Sequence, residues 1–213
     1  MTASLNDTTT FSKGIWKSVY VVGVREGSAA IEHVSPRVFY LGAYPTDPLS
    51  DDDHGDFSVD VMVHFFAPAA AAGMLAVVGA WGGAPVSLPL QLPAGASNAT
   101  VTLVAANNSV ALWWPAQTPG AQTRYAVNVS FTPAGSVAPP VTDSRLVGFR
   151  HFALVTANDS DPGAIAGVDG SGSFTLRFRV NGASIWSRGA NMVPMEELVW
   201  DGGGRARRKA LRV

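Results

Sequence analysis

Glu196 and Glu197 form the only adjacent pair of glutamates, and paired carboxylates are the side chains that acid–base chemistry most often uses. Two carboxylates that act on one bond must flank it, whereas neighbours in sequence point to different sides of a strand or a helix. We therefore interpret this pair as the solvated first turn of a helix, where the helix dipole favours acidic side chains. The pair is not predicted to be catalytic.

A run of acidic residues followed by a histidine, Asp51-Asp52-Asp53-His54, is the loop that most resembles a metal site. Carboxylates and imidazoles can ligate cations, but no second cluster at ligand spacing accompanies this one, so a solvated loop is favoured. Asp159 and Asp161, with Gly163, lack the spacing and the closing glutamate of an EF-hand. The chain has no cysteine, and its four histidines are scattered singly. We predict no metal and no cofactor.

Other catalytic and binding classes find no support in the sequence. No G-x-S-x-G elbow and no P-loop is present, which disfavours serine-hydrolase and nucleotide-dependent activities. A net charge of -1 with 15% charged residues gives no electrostatic reason to expect nucleic acid or a membrane as a partner. The basic run at residues 205–209 is interpreted as solvated. The apolar run at residues 65–81 is too short and too interrupted for a membrane span, and indicates a buried core with a loop inside it.

Glycosylation is the modification that the sequence suggests. Five N-x-S/T sequons have permissive neighbours: Asn6, Asn98, Asn107, Asn128 and Asn158. The sequons are as compatible with a secretory or lysosome-like compartment as with chance occurrence in a chain rich in Asn, Ser and Thr. The amino-terminal residues lack the basic and apolar regions of a signal peptide, so we expect that the chain is not secreted or that its true amino terminus lies upstream.

The elements that must position these residues are predominantly strands. Apolar residues alternate with polar ones over residues 57–65, 100–103 and 125–131, and Asn128 falls on a polar face. Residues 16–24 are rich in β-branched and aromatic side chains and are also predicted to form a strand. Turns rich in Gly and Pro separate the strands, as at residues 82–85. The pattern predicts an antiparallel β-sandwich, with seams near residues 25–30 and 158–173.

A β-hairpin is predicted over residues 174–187. Phe174, Leu176, Phe178 and Val180 lie on one face of its first strand, and Thr175, Arg177 and Arg179 lie on the other. Asn181-Gly182 supplies the positive φ angles of a two-residue type I′ turn. Residues 184–187 are then placed to run back as the second strand.

Four segments in order along the chain resemble motifs of one enzyme family. They are residues 14–20 (GIWKSVY), 112–115 (LWWP), 146–150 (LVGFR) and the hairpin with its sequel at 188–194 (RGANMVP). Together they resemble glycoside hydrolase family 2, and within it the β-mannosidases. The sequence from Asp201 onward departs from the family pattern, and we expect truncation or altered sequence there.

The resemblance implies a domain organisation. Residues 1–30 would end a jelly-roll sugar-binding domain, 31–157 would form an immunoglobulin-like β-sandwich, and 158–213 would be a linker and the start of a truncated (β/α)8 barrel. The predicted fold class is therefore mainly β: an immunoglobulin-like antiparallel β-sandwich, flanked by a remnant jelly-roll strand and the first barrel hairpin.

The resemblance also implies a chemistry. Family members are retaining glycosidases whose two carboxylates, about 5–5.5 Å apart, belong to later barrel strands, so no catalytic residue is expected in this chain. Arg188 and Asn191 would support the substrate pocket, since barrel sites lie at the carboxyl ends of strands. Hydrogen bonds that stabilise the turn are favoured over direct contact with the sugar as the role of the two residues. The six tryptophans could stack on sugars, but Trp113 and Trp114 belong to a domain motif and are interpreted as packing residues rather than as sugar platforms.

Two functions remain open from the sequence. The first is part of an enzyme that hydrolyses β-linked sugars, with mannosides favoured and β-galactosides as the alternative, so that a carbohydrate would be the partner. The second is a non-catalytic β-sandwich that binds glycans or proteins through an apolar, charge-free surface. Residues 61–123 contain no Asp, Glu, Lys or Arg, which is compatible with both.

Overall fold

The computed structural model describes residues 19–116, 118, 120–135, 139–155, 177–187 and 189. Within these ranges the chain is all-β, with antiparallel pairing throughout and no helix. Consequently none of the described residues belongs to a helix long and apolar enough to cross a membrane. Gly23–Ser187 forms one compact unit, and the elements below belong to it. Its strands are β1 Ala30–Tyr40, β2 Phe57–Ala67, β3 Ala71–Gly79, β4 Val86–Leu92, β5 Gly95–Ala105, β6 Tyr125–Pro133, β7 Val141–Val147, β8 Phe152–Val155, β9 Arg177–Val180 and β10 Ala183–Ile185.

The described strands form three antiparallel sheets. The first has the order β1-β2-β5, the second β4-β3-β6-β7, and the third and smallest β10-β9-β8. The first two are the layers of a sandwich, since the rings of Phe65 on β2 and Phe131 on β6 meet edge to face with centroids 5.5 Å apart. The predicted antiparallel β-sandwich is therefore confirmed.

Strict alternation along β2, the central strand of its sheet, explains why one of its faces is buried. Phe57, Val59, Val61, Val63 and Phe65 are all fully buried, while the residues between them are partly exposed. The β-branched side chains suit the pleated surface. Burial of each large apolar side chain stabilises the fold by about 1.5–3 kcal/mol. The opposite layer also buries every second side chain. These are Leu75 and Val77 of β3 and Val127, Val129 and Phe131 of β6.

An aromatic cluster closes one end of the core. Phe149 is fully buried, and its ring centroid lies 5.0 Å from that of Trp81 and 5.2 Å from that of Phe57. Tyr125 packs against the same ring at 5.6 Å. The Trp81 indole donates a hydrogen bond to the Val104 carbonyl oxygen over 3.1 Å, which satisfies its polar atom. Trp81 is thus a packing residue of this core.

The apolar run at residues 65–81 is confirmed as core interrupted by a turn. It contains the end of β2, residues 68–70, and β3, which pairs with β4 and β6. The turn after it contains Gly82 and Gly83, with φ angles of 103° and 92° that only glycine adopts without strain.

One predicted strand differs from the structure. Residues 19–24, the described part of the segment predicted as a strand over 16–24, have no strand pairing. A β-branched composition favours a strand only when a neighbouring strand accepts its hydrogen bonds, and no described strand does so here. The side chains of Val19, Tyr20, Val21 and Val22 are accordingly 67% to 98% exposed.

Candidate functional site

The Asn-Gly turn of the hairpin has the predicted backbone conformation. Asn181 has a φ of 50° and Gly182 a φ of 80°, the positive values that a type I′ turn requires. β9 and β10 pair around it, with Val180 opposite Ala183. The return strand is Ala183–Ile185 rather than residues 184–187, and Trp186 beyond it is 84% exposed.

Asn181 is completely buried and uses both its backbone and its side chain in hydrogen bonds. Its N–H donates to the His151 carbonyl oxygen, and its Oδ1 accepts from the His151 N–H, each over 2.9 Å. Its Nδ2 donates to the Trp113 carbonyl oxygen over 3.0 Å. Its own carbonyl oxygen accepts from the Leu49 N–H over 2.8 Å. The hairpin turn is therefore fastened to three separate loops.

The loop at residues 45–49 covers the turn and buries Arg179. The Arg179 Nη1 donates to the carbonyl oxygen of Gly182 over 2.8 Å and to that of Thr46. A Cβ at Gly182 would overlap the carbonyl oxygen of Asp47, so glycine is required there for space as well as for φ. The expectation that Arg179 lies on the outer polar face is wrong, because the loop covers it and the carbonyl oxygens of Thr46 and Gly182 accept hydrogen bonds from the buried guanidinium.

Two further motifs meet at the same place. The Trp113 N–H donates to the Phe149 carbonyl oxygen over 2.7 Å, and the Arg150 guanidinium lies over the Trp113 ring, 4.5 Å from its centroid. A Cβ at Gly148 would come within 2.9 Å of three Trp113 side-chain atoms, so the two segments are in close contact. We call Trp113, residues 148–151 and Asn181-Gly182 the junction. It joins the LWWP, GFR and NG segments of the sequence.

An open groove of about 630 Å³ adjoins the junction. Arg124 and Arg150 supply its positive charge, and no Asp or Glu is among its described lining residues. Tyr40, Trp113 and the exposed rings of Phe39 and Phe152 give it aromatic surface. Such a lining is suited to bind an anion that carries an apolar face, and it holds no carboxylate that could act on a glycosidic bond.

His151 connects the groove to the junction. Its ring packs edge to face against Tyr40, at 5.6 Å between centroids, and against Tyr44, at 5.3 Å. Its Nδ1 is buried, and no described residue forms a hydrogen bond with it. Burial lowers the pKa of the His151 imidazole below the ordinary value of 6.5, which favours the neutral form.

The residues predicted to support a substrate pocket, Arg188 and Asn191, lie outside the described residues, as do Glu196 and Glu197. Their roles remain predictions. The described part of the chain brings no group of three or more His, Asp or Glu side chains together in a way that could hold a metal ion.

The acidic loop and His54 have a structural role. The Asp51 Oδ1 accepts a hydrogen bond from the Leu112 N–H over 2.7 Å. The buried His54 ring has its Nδ1 2.7 Å from the Gly55 carbonyl oxygen and its Nε2 3.0 Å from that of Val110. The contacts with Val110 and Leu112 tie the loop between β1 and β2 to the segment that leads into the LWWP motif. Asp52 and Asp53 are exposed, as a solvated loop predicts.

Three of the predicted sequons lie in the described residues. Asn98, Asn107 and Asn128 are all exposed, Asn98 and Asn128 on strands and Asn107 in the turn after β5. Asn128 lies on the outer, polar face of β6, as its alternation predicts. Asn6 and Asn158 fall outside the described residues. Use of any sequon remains a prediction.

Asn181, His151 and Arg179 are the residues that sequence reasoning missed. The Asn-Gly dipeptide predicted a turn but carried no sign that the Asn side chain would be buried against other loops. His151 follows the GFR segment directly, which was the only available hint of its position. Arg179 was assigned to solvent by alternation alone.

Comparisons with known proteins found likeness at the level of solved structures. No family model and no curated protein matches the chain. The exo-chitosanase CsxA of Amycolatopsis orientalis matches 76% of this chain and 16% of its own, at 20% identity and a TM-score of 0.49. A β-D-mannosidase from Dictyoglomus thermophilum matches over 74% and 17%, at 17% identity and 0.46. A β-glucuronidase from glycoside hydrolase family 2 matches over 72% and 14%, at 15% identity and 0.43. The chain thus spans between 14% and 17% of the length of these proteins.

Proposed function

We propose that this chain is the non-catalytic framework of a retaining glycoside hydrolase that resembles the β-mannosidases of family 2. The enzyme would hydrolyse β-linked O-glycosides, with mannosides favoured over galactosides. Residues 1–30, 31–157 and 158–213 would be its jelly-roll end, sandwich, and linker with barrel start. The observation that carries the proposal is the junction, where three motifs of the resemblance meet.

The junction supports the proposal because its parts are distant in sequence. Trp113, Arg150 and Asn181 come from three segments, yet Asn181 donates a hydrogen bond to the Trp113 carbonyl oxygen and Arg150 stacks on the Trp113 ring. Chance matches to short motifs have no reason to be in contact. The contacts favour one inherited structural unit over separate coincidences.

The hairpin gives this unit a role. β10 ends at Ile185, and the segment that contains Arg188 and Asn191 follows within six residues. The turn itself is fastened to neighbouring loops through Asn181. We infer that the sandwich positions the first strand of a catalytic barrel whose carboxylates are supplied outside this chain.

Activity of the isolated chain is the first test. The purified 213-residue chain, incubated with p-nitrophenyl β-mannoside and β-galactoside, should show no turnover above a mock purification. Turnover that co-purifies with the chain and is abolished by Glu196→Gln would contradict the proposal, because the catalytic carboxylates would then lie in this chain. The genomic reading frame around the coding sequence is the companion test, and a barrel with two glutamates downstream is the expected result.

A non-catalytic binding module is the second candidate, and the groove beside Trp113 is the observation that favours it. Its two arginines and its aromatic rings need no catalytic barrel to bind a ligand. Genuine chain termini at Met1 and Val213 would favour this candidate, whereas a jelly-roll upstream and a barrel downstream would favour the enzyme.

A further inference from the structure

The groove beside Trp113 carries unpaired positive charge. Arg124 and Arg150 both line it, and neither has a hydrogen bond or an ion pair within the described part of the chain. Arg145, by contrast, lies outside the groove and is paired with Asp143 over 2.8 Å. Two guanidinium groups in one concave site without a carboxylate among the described lining residues create a potential that attracts an anion.

The Arg150 side chain is held by an aromatic ring in a position that suits such a ligand. Its guanidinium carbon lies over the Trp113 ring, 4.5 Å from the ring centroid. This cation–π contact restrains the side chain, and the guanidinium N–H groups have no hydrogen-bond acceptor within the described part of the chain. A carboxylate is the anion whose two oxygens match that planar fork, and the paired hydrogen bonds would be charge-assisted.

The rest of the groove lining is aromatic and favours an anion that also carries an apolar face. Phe39 is 45% exposed and Phe152 is 56% exposed, and both line the groove with Tyr40 and Trp113. Exposed aromatic faces in a concave site are costly in water and are stabilised when the C–H face of a sugar ring covers them. A ligand with a carboxylate on a pyranose ring satisfies both halves of the lining.

We propose that this groove binds an acidic oligosaccharide, with a uronate carboxylate on Arg150 and Arg124 and a neighbouring sugar ring against Phe39 and Phe152. The site deepens the second candidate function, the binding module, and is independent of the proposed hydrolase, since it lies on the sandwich and involves no bond cleavage. A failure to bind the acidic sugar would not contradict the proposed hydrolase activity, and a lack of hydrolase activity would not contradict binding at this groove.

Calorimetric titration of the full 213-residue chain at low salt tests the site. Trigalacturonate is the probe, and the galactotriose of the same linkage is its neutral match. We expect saturable binding of the uronide and at least about tenfold weaker binding of the neutral sugar, since the charge-assisted hydrogen bonds are lost. Binding should weaken as salt rises.

Variants locate the binding. Arg150→Gln should weaken uronide binding about tenfold or more, and Arg124→Gln, at an exposed side chain whose loss does not endanger folding, should weaken it severalfold. Arg145→Gln is the matched control, with unchanged affinity expected. Circular dichroism checks that each variant is folded.

Three results would overturn the inference. They are no saturable binding of trigalacturonate, equal affinity for the neutral sugar, and affinity that neither groove variant changes. Tighter binding of a hexaglutamate peptide than of trigalacturonate would also overturn it, and would assign the groove to an acidic protein segment instead.

Discussion

Asn181 shows how one residue can hold a motif in place. Its side chain makes two hydrogen bonds to backbone groups of His151 and Trp113, and it is fully buried. Asn181→Gly keeps the positive φ but removes both bonds and leaves buried backbone groups unsatisfied. We expect a loss of about 2–4 kcal/mol in the free energy of unfolding, measured by urea denaturation.

Asn108 offers the matched control for this prediction. It also has a positive φ, of 57°, but it is exposed and makes one side-chain hydrogen bond, from the His54 N–H to its Oδ1 over 2.9 Å. Asn108→Gly should cost about 1 kcal/mol or less. Equal losses for the two variants would show that the Asn181 side chain has no special role.

His151 predicts a pH dependence of stability. Because burial lowers its pKa, the unfolded chain binds more protons at this residue than the folded chain as the pH falls below 6.5. Its contribution is complete above that pH and is lost as the pH falls through the folded-state pKa. The decrease in unfolding free energy between about pH 7.5 and about pH 5.5 should therefore be smaller in His151→Gln than in the wild type.

A wild-type pH dependence that persists unchanged in His151→Gln would contradict this role of His151.

At the scale of single residues, the sequence could indicate backbone needs better than contacts. The Asn-Gly pair predicted two positive φ angles, and both are present. Burial of Asn181 and Arg179 depends on a loop more than 130 positions earlier in the chain, and no local pattern encodes that distance. Period-two alternation describes a strand beside solvent, whereas Arg179 lies beneath the loop at residues 45–49.

At the scale of elements, the hairpin turn at Gly182 packs tightly against the loop at residues 45–49. Gly182→Ala would place a methyl group on the carbonyl oxygen of Asp47, at a backbone φ of 80°. We expect thermal or urea unfolding to show a loss of at least about 3 kcal/mol, from backbone strain and steric overlap together. Gly135 has a φ of 68° and open space around it, so Gly135→Ala should cost about 1 kcal/mol. Similar costs at both glycines would show that the loop does not press on the turn.

The aromatic cluster around Phe149 is a second feature that can be tested at this scale. Phe149→Ala would leave a cavity between Trp81, Phe57 and Tyr125, and we expect a loss of about 3–5 kcal/mol by urea denaturation. Phe152, three residues later, is 56% exposed, so Phe152→Ala should cost less than about 1 kcal/mol. Comparable losses would mean that Phe149 is not a core residue.

The strands themselves were the most predictable elements. β2, β5 and β6 follow the alternation of their sequences, because one face of each is buried and the other is not. The segment at residues 19–24 has equally strong β composition but no partner strand among the described residues, and it is not a strand. Composition predicts which segments can pair, and tertiary structure decides whether they do.

At the scale of the whole molecule, three segments that are distant in sequence meet at one place. Motifs from the LWWP, GFR and NG segments meet in the junction and hold the hairpin against the sandwich. The sequence supplied the motifs and their order but not their contact. Arg188 and Asn191, proposed as pocket residues, follow this hairpin in the sequence.

The most direct test of the proposed hydrolase is a stereochemical one. Hydrolysis of p-nitrophenyl β-mannoside by the protein translated from the complete reading frame that contains this chain can be followed by proton NMR at the anomeric position. We predict that β-mannose is released first, because a double displacement retains configuration. Release of α-mannose first, or no hydrolysis of any aryl β-glycoside, would contradict it.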